Sequence, residues 1–117
     1  MQYTKLGNSD LTVSRICMGC MGFGDAKNGS TAGPWMRSIP ERLSAGTGTG
    51  HQFYDTAISY QSGTSEQYVG RALKDFAKRD DVVVATKFLP RTQDEIAEGI
   101  TGQQHIENMI NTSLKNL

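Results

Sequence analysis

The runs Phe53-Tyr54-Asp55-Thr56-Ala57-Ile58-Ser59-Tyr60 and Val82-Val83-Val84-Ala85-Thr86-Lys87 decide how this chain folds. Each opens with β-branched, aromatic or aliphatic residues that suit a buried strand, and each ends in ionisable side chains. Between them, Gly63-Thr64-Ser65-Glu66 reads as a turn followed by a helix start, with a Ser or Thr cap and an early acid. Tyr68, Val69, Ala72, Leu73 and Phe76 then fall at helical spacing, and Asp80-Asp81 ends the pattern. Strand, helix, strand predicts a right-handed parallel α/β unit, with residues 82–88 as a parallel strand covered on both faces.

Working outward, residues 2–6 read as a strand, Gly7-Asn8-Ser9-Asp10 as a turn and Leu11-Thr12-Val13 as a returning strand, which makes a hairpin. Residues 16–21 read as a buried strand ending in glycines. On the other side, Pro90 opens a loop expected to run to about Gly102. His105, Ile106, Met109, Ile110, Ser113, Leu114 and Leu117 mark a second helix, with His105 exposed in its first turn. Residues 25–52 keep neither a helical nor a strand period. They hold Gly29, Gly33, Gly46, Gly48 and Gly50, two of three prolines and the single Trp, a pattern of loop, disorder or disturbed sequence.

The 117 residues suffice for one small domain. Twelve basic and twelve acidic residues cancel, so no basic patch points to nucleic acid. No long apolar run points to a membrane span and no secretory leader is evident, so the default expectation is a cytoplasmic protein. Cys17-Met18-Gly19-Cys20 has C-x-x-C spacing, which can serve redox chemistry or half a metal site. No second pair follows, the histidines are His51 and His105 only, and the segment reads as a strand. Buried, reduced structural cysteines and no metal site are expected.

In parallel α/β folds the chemistry sits at the carboxyl ends of the strands. Asp55, Tyr60 and Lys87 lie at or just beyond such ends, as does Gly19-Cys20-Met21. A phenol, an ammonium and a carboxylate are what carbonyl reduction needs: a proton donor, a cation that acts on it, and a group that holds the cation. Singly, each of these residues would read as structural; their shared location makes them a candidate catalytic set. Tyr54 and Tyr68 read as packing residues, Arg91 with Asp94-Glu95 as a solvated loop, and Glu66 as a helix cap.

These residues resemble the amino-terminal part of an aldo-keto reductase, in the branch that includes voltage-gated potassium channel β subunits. The resemblance rests on Tyr3-Thr4-Lys5-Leu6-Gly7, on Met18-Gly19-Cys20-Met21-Gly22-Phe23-Gly24, on Phe53-Tyr54-Asp55-Thr56-Ala57 with Tyr60, Gly63 and Ser65-Glu66, and on Ala85-Thr86-Lys87. It implies a partial (β/α)8 TIM barrel: a hairpin plugging the barrel floor, strands one to three and helices two and three, with the helix-one region disrupted. It implies reduction of aldehydes and ketones with NADP(H). Tyr60 would be the general acid, Lys87 the cation that favours its phenolate, and Asp55 the partner of Lys87. Gly19, Cys20, Met21 and Asp55 would lie near the nicotinamide. The family's fourth catalytic group, a His after strand four, has no counterpart here, because His105 falls in a helix. The chain alone is therefore expected to be inactive, and its partner class is a small-molecule carbonyl compound. Alternatives are a nucleotide-sensing module like a channel β subunit, or a non-functional product.

Residues 30–52 stand where the family has helix one. Gly46-Thr47-Gly48-Thr49-Gly50-His51-Gln52 can be encoded so that a frame one base later reads Glu-Leu-Gly-Leu-Gly-Ile-Asn, as the family has. Thr31 to Ser38 can likewise be encoded so that another frame reads Ser-Trp-Thr-Met-Asp-Glu-Glu, a good helix start. The expectation is a frame-shifted or irregular segment that packs poorly. The third strand should present an exposed edge, leaving a marginal, aggregation-prone chain.

Overall fold

The computed structural model describes residues 1–25 and 48–117. Most of the irregular segment expected at 30–52, and its reading-frame interpretation, lies outside the described residues. Among those described, the elements are β1 (Tyr3–Lys5), β2 (Thr12–Ser14), β3 (Met18–Gly19), β4 (Phe53–Asp55), α1 (Thr64–Phe76), β5 (Val83–Ala85), α2 (Gln93–Ala97) and α3 (Gly102–Asn116).

β1 and β2 form the expected antiparallel hairpin, with Thr4 opposite Val13. It docks below the second sheet. The Tyr3 hydroxyl donates to Gly50 O at 2.9 Å, and Gln52 Nε2 donates to Thr12 O at 2.5 Å. Both contacts fall just ahead of β4, so the hairpin covers the amino end of the sheet.

That sheet is parallel, in the order β3-β4-β5, with β4 central. Gly19 faces Asp55, and Asp55 faces Ala85. Pairing runs on past the strands: Thr56 N donates to Ala85 O at 2.9 Å and Ile58 N to Lys87 O at 3.0 Å. The strand ends are thereby fixed relative to one another, which is what a site built across them requires.

α1 follows β4 and covers the sheet. Val69, Ala72 and Leu73 pack with Cys20, Phe23, Tyr54 and Val82 in one core cluster. These are the positions that helical spacing selects, except that Phe76 is exposed. Gly63, in the left-handed region at φ 89°, occupies the N-cap position, so the expected Ser or Thr side-chain cap does not form. The helix ends at Phe76, ahead of Asp80-Asp81.

Several local expectations give way to tertiary context. The strand read over residues 16–21 shrinks to Met18–Gly19, and Ile16 and Met21 are exposed. β5 is half-buried rather than covered on both faces, and Phe88 is exposed. The loop expected from Pro90 to about Gly102 contains α2, which opens with a capping box. Thr92 Oγ1 accepts from Glu95 N, and the Glu95 carboxylate accepts from Thr92 N at 2.7 Å. Arg91 and Glu95 are thus not merely solvated, since Arg91 donates to Ile100 O at 2.8 Å. His105 is buried, not exposed: its Nδ1 lies 3.0 Å from Glu95 Oε1 and its Nε2 2.6 Å from Leu89 O.

β5 stands at the sheet edge. Beside it an apolar groove of about 550 Å³ runs between α1 and α3, lined by Leu73, Val84, Met109, Ile110 and Leu114. No helix among the described residues is long and apolar enough to cross a membrane.

Candidate active site

At the carboxyl edge of the sheet, Asp55 ends β4 and Lys87 follows β5 by two residues. The Lys87 ammonium donates to both carboxylate oxygens of Asp55 at 2.9 Å, and to Thr56 O at 2.7 Å. All three of its protons have an acceptor direction, so its position is determined. Both side chains remain open to solvent, at 50 % and 38 % exposure for Lys87 and Asp55. Burial draws the ammonium down, but the hydrogen bond and charge of Asp55, reinforced by Tyr60, outweigh it and hold Lys87 above its ordinary value.

Tyr60 comes from the loop that follows Asp55. Tyr60 N donates to Ala57 O at 3.1 Å, closing a turn that folds the chain back over the strand end. Its ring then sits beside the ammonium, with Lys87 Nζ 5.1 Å from the ring centroid. The next two residues are strained: Gln61 and Ser62 have φ of 51° and 53°. Left-handed conformations in non-glycine residues cost about 1–3 kcal/mol each and persist only where the surroundings impose them. Here Gln61 is buried, and its Nε2 donates to Met21 O at 3.1 Å. Asp25 N donates to Thr64 Oγ1 at 2.8 Å. The loop after β3 is thus fastened to the turn carrying Tyr60. Gly24 makes that approach possible: at φ 133°, with Gln61 Cβ 2.6 Å from where its own Cβ would lie, no side chain fits.

Gly19, which ends β3, has open space beside it, and Met21 beyond it is exposed. Cys20 differs from both. Its side chain is fully buried, and its thiol donates to Met18 O at 3.4 Å. Burial pushes that thiol up to about 12, so it is inert at neutral pH. Cys17 is exposed, which corrects the expectation of two buried cysteines, and the two thiols are free. No group of three or more His, Cys, Asp or Glu side chains among the described residues is arranged to hold a metal.

Sequence reading missed a layer behind the site. Ser65 and Glu66, in the first turn of α1, are both fully buried. Ser65 Oγ donates to Cys20 O at 2.8 Å and lies 3.1 Å from Thr56 Oγ1. Glu66 does not cap its helix. It accepts from Thr86 Oγ1 at 2.6 Å and from Asn116 Nδ2 at 2.9 Å. The available signal was the pair of threonines beside the ionisable residues, Thr56 after Asp55 and Thr86 before Lys87.

The profile of the Aldo/keto reductase family matches residues 15–117. The chain is 36 % identical over 87 residues to Aldo-keto reductase YhdN of Bacillus subtilis, covering 74 % of this chain and 25 % of that protein. It is 33 % identical over 119 residues to a probable voltage-gated potassium channel subunit beta of Oryza sativa, covering 100 % of this chain and 34 % of the rice protein. In three dimensions it matches aldo-keto reductase AKR11C1 from Bacillus halodurans, in its holo form, with TM-score 0.70 and 33 % identity, over 100 % of this chain and 36 % of that one. The chain thus spans a quarter to a third of the length of these curated relatives, and its described residues form an open α/β portion of a barrel, not a closed one. By profile, sequence and fold, the chain belongs to the aldo/keto reductase family.

Proposed function

We propose that this chain carries the acid–base part of an NADPH-dependent carbonyl reductase site, with Asp55, Tyr60 and Lys87 as its catalytic residues. The observation that supports it is the Lys87 ammonium, held by Asp55 and set against the Tyr60 ring on the carboxyl edge of a parallel sheet. An aldehyde or ketone oxygen beside Tyr60 would take the phenolic proton as the carbonyl carbon is reduced. The Lys87 ammonium would offset the negative charge left on the phenol oxygen. Asp55 would keep the ammonium charged and aimed.

NADP(H), when bound, supplies the hydride. The residues present fit its nicotinamide end. Gly19, with nothing within 4 Å of where a Cβ would stand, and exposed Met21 leave room beside Asp55. Cys20 would contribute backbone only. His51 precedes β4 and buried His105 belongs to α3, so neither supplies a strand-end imidazole. The 117 residues alone therefore would not turn over. The expected setting is the cytoplasm, and the expected partner is a small carbonyl compound.

The test joins residues 1–117 ahead of the later barrel strands of the Bacillus subtilis relative. NADPH oxidation with an aromatic aldehyde is expected from this hybrid, with at least about a hundredfold loss in Tyr60→Phe. A hybrid that folds and binds NADPH but reduces nothing overturns the reading. The rice relative, named as a channel subunit, favours a second reading in which nucleotide is sensed and not consumed; binding without turnover would support it. We further propose that residues 30–52 are read out of frame. A nucleotide sequence with no helix-encoding neighbouring frame would refute this.

A further inference from the structure

Asp55 and Ala85 are register partners, so Thr56 and Thr86 lie side by side on adjacent strand ends. Successive side chains alternate between the faces of a strand. If Thr56 and Thr86 are turned toward the helix layer, their neighbours Asp55 and Lys87 are turned toward the site. Both threonines are held on the helix side. Ser65 has one hydroxyl proton, which goes to Cys20 O, so Thr56 is the donor in its contact with Ser65. Thr86 donates to Glu66 at 2.6 Å, a short hydrogen bond.

Two consecutive residues of α1 thus reach the ends of all three parallel strands: Ser65 those of β3 and β4, and Glu66 that of β5. Glu66 is fully buried, and its partners among the described residues are neutral. Its carboxyl group is therefore placed by two bonds, one from the end of β5 and one from the end of α3.

We propose that Ser65 and Glu66 are positioning residues, a clamp that orients Thr56 and Thr86 and through them sets the Asp55–Lys87 pair. This rests on the catalytic reading above for its purpose, but not for its geometry. Neither residue touches the reacting atoms. The clamp fixes the backbone at residues 56 and 86, so that the ammonium at 87 meets the carboxylate at 55.

The experiment follows the Lys87 side chain by 13Cε NMR titration in the full chain, with Lys87→Arg assigning the resonance. Asp55→Asn sets the size of the downward shift that loss of the pair produces. Thr86→Val removes the donor at an exposed position while keeping volume, so it should fold. It is expected to lower the Lys87 midpoint by at least half of the Asp55→Asn shift, and Thr86→Ser is expected to restore it. Glu66→Gln, which keeps an acceptor oxygen, should move the midpoint less than Glu66→Leu. Val69→Ala, which weakens the core away from the strand ends, should leave it in place. A wild-type Lys87 midpoint in Thr86→Val and Ser65→Ala overturns the proposal, whatever happens to their melting temperatures. If Thr86→Val shifts the midpoint but the hybrid enzyme reduces nothing, the clamp stands and the catalytic reading falls.

Discussion

Lys87 Nζ stands 2.9 Å from each carboxylate oxygen of Asp55, bridging the ends of two adjacent parallel strands. The pair is half open to water, so it orients more than it stabilises. Exposed ion pairs contribute about 0.2–1 kcal/mol. Because the folded ammonium titrates above its unfolded value, its contribution is fully present below the ordinary lysine pKa of 10.5 and is lost as pH rises through the higher folded value. Asp55→Asn should therefore cost under about 1 kcal/mol at pH 7 in urea unfolding, with the difference from wild type vanishing above the folded midpoint. In 1 M salt, where the screening length is about 3 Å, the difference should shrink as well.

His105 gives a second pH dependence, nearer neutrality. One ring nitrogen faces the Glu95 carboxylate and the other faces Leu89 O, so both act as donors when the ring is charged. The bond to Leu89 O, then that to Glu95, raises His105 above its ordinary 6.5, with desolvation and, less, nearby Arg91 acting against. The bond from Thr92 N, then His105, lowers Glu95 below its ordinary 4.5. The histidine contribution is present below 6.5 and lost as pH rises through the raised folded value. The glutamate contribution is present above 4.5 and lost as pH falls through the lowered one. Amide exchange across residues 93–100, corrected for intrinsic rates, should be slowest between about pH 4.5 and 6.5 and faster at pH 8. His105→Gln should flatten that profile.

Gly70 lies where α1 meets the end of α3. A Cβ there would strike the Asn116 carbonyl oxygen and come within 2.8 Å of Leu117 Cα, both backbone. Helix propensity alone would favour alanine by about 1 kcal/mol. Overpacking against backbone should reverse the sign, and Gly70→Ala is expected to destabilise by about 1–3 kcal/mol in chemical denaturation. It should also loosen the Asn116 bond to Glu66, one helical turn away.

The groove beside β5 carries an apolar stripe on α3, where Ile106, Ile110 and Leu114 recur at four-residue spacing and Leu114 is 72 % exposed. Unpaired strand edges next to such a stripe invite association. Leu114→Glu should change stability by no more than about 0.5 kcal/mol, as exposed substitutions do. It should lower the sedimentation-averaged mass at high protein concentration.

The frame of the molecule was open to sequence reading because it depends on pattern. Alternation and turn chemistry produced the hairpin, and apolar runs separated by a helical period produced parallel strands with Asp55 and Lys87 at their carboxyl ends. What escaped depends on contacts distant in sequence. Glu66 looks like a helix cap locally, but Asn116 and Thr86 draw it inward. His105 looks like a surface residue of a first turn, yet Leu89 O and Glu95 close over it. The capping box Thr92-Gln93-Asp94-Glu95 was readable in principle, because its spacing is local. Pro90 and the polar composition around it masked the signal.

The hairpin leaves Met1 beside Gly50, at the edge of the sheet opposite Asp55 and Lys87. An affinity handle or fluorophore placed ahead of Met1 would therefore emerge away from the rim that holds Asp55 and Lys87, and ligand titrations could be run on tagged material without cleaving it.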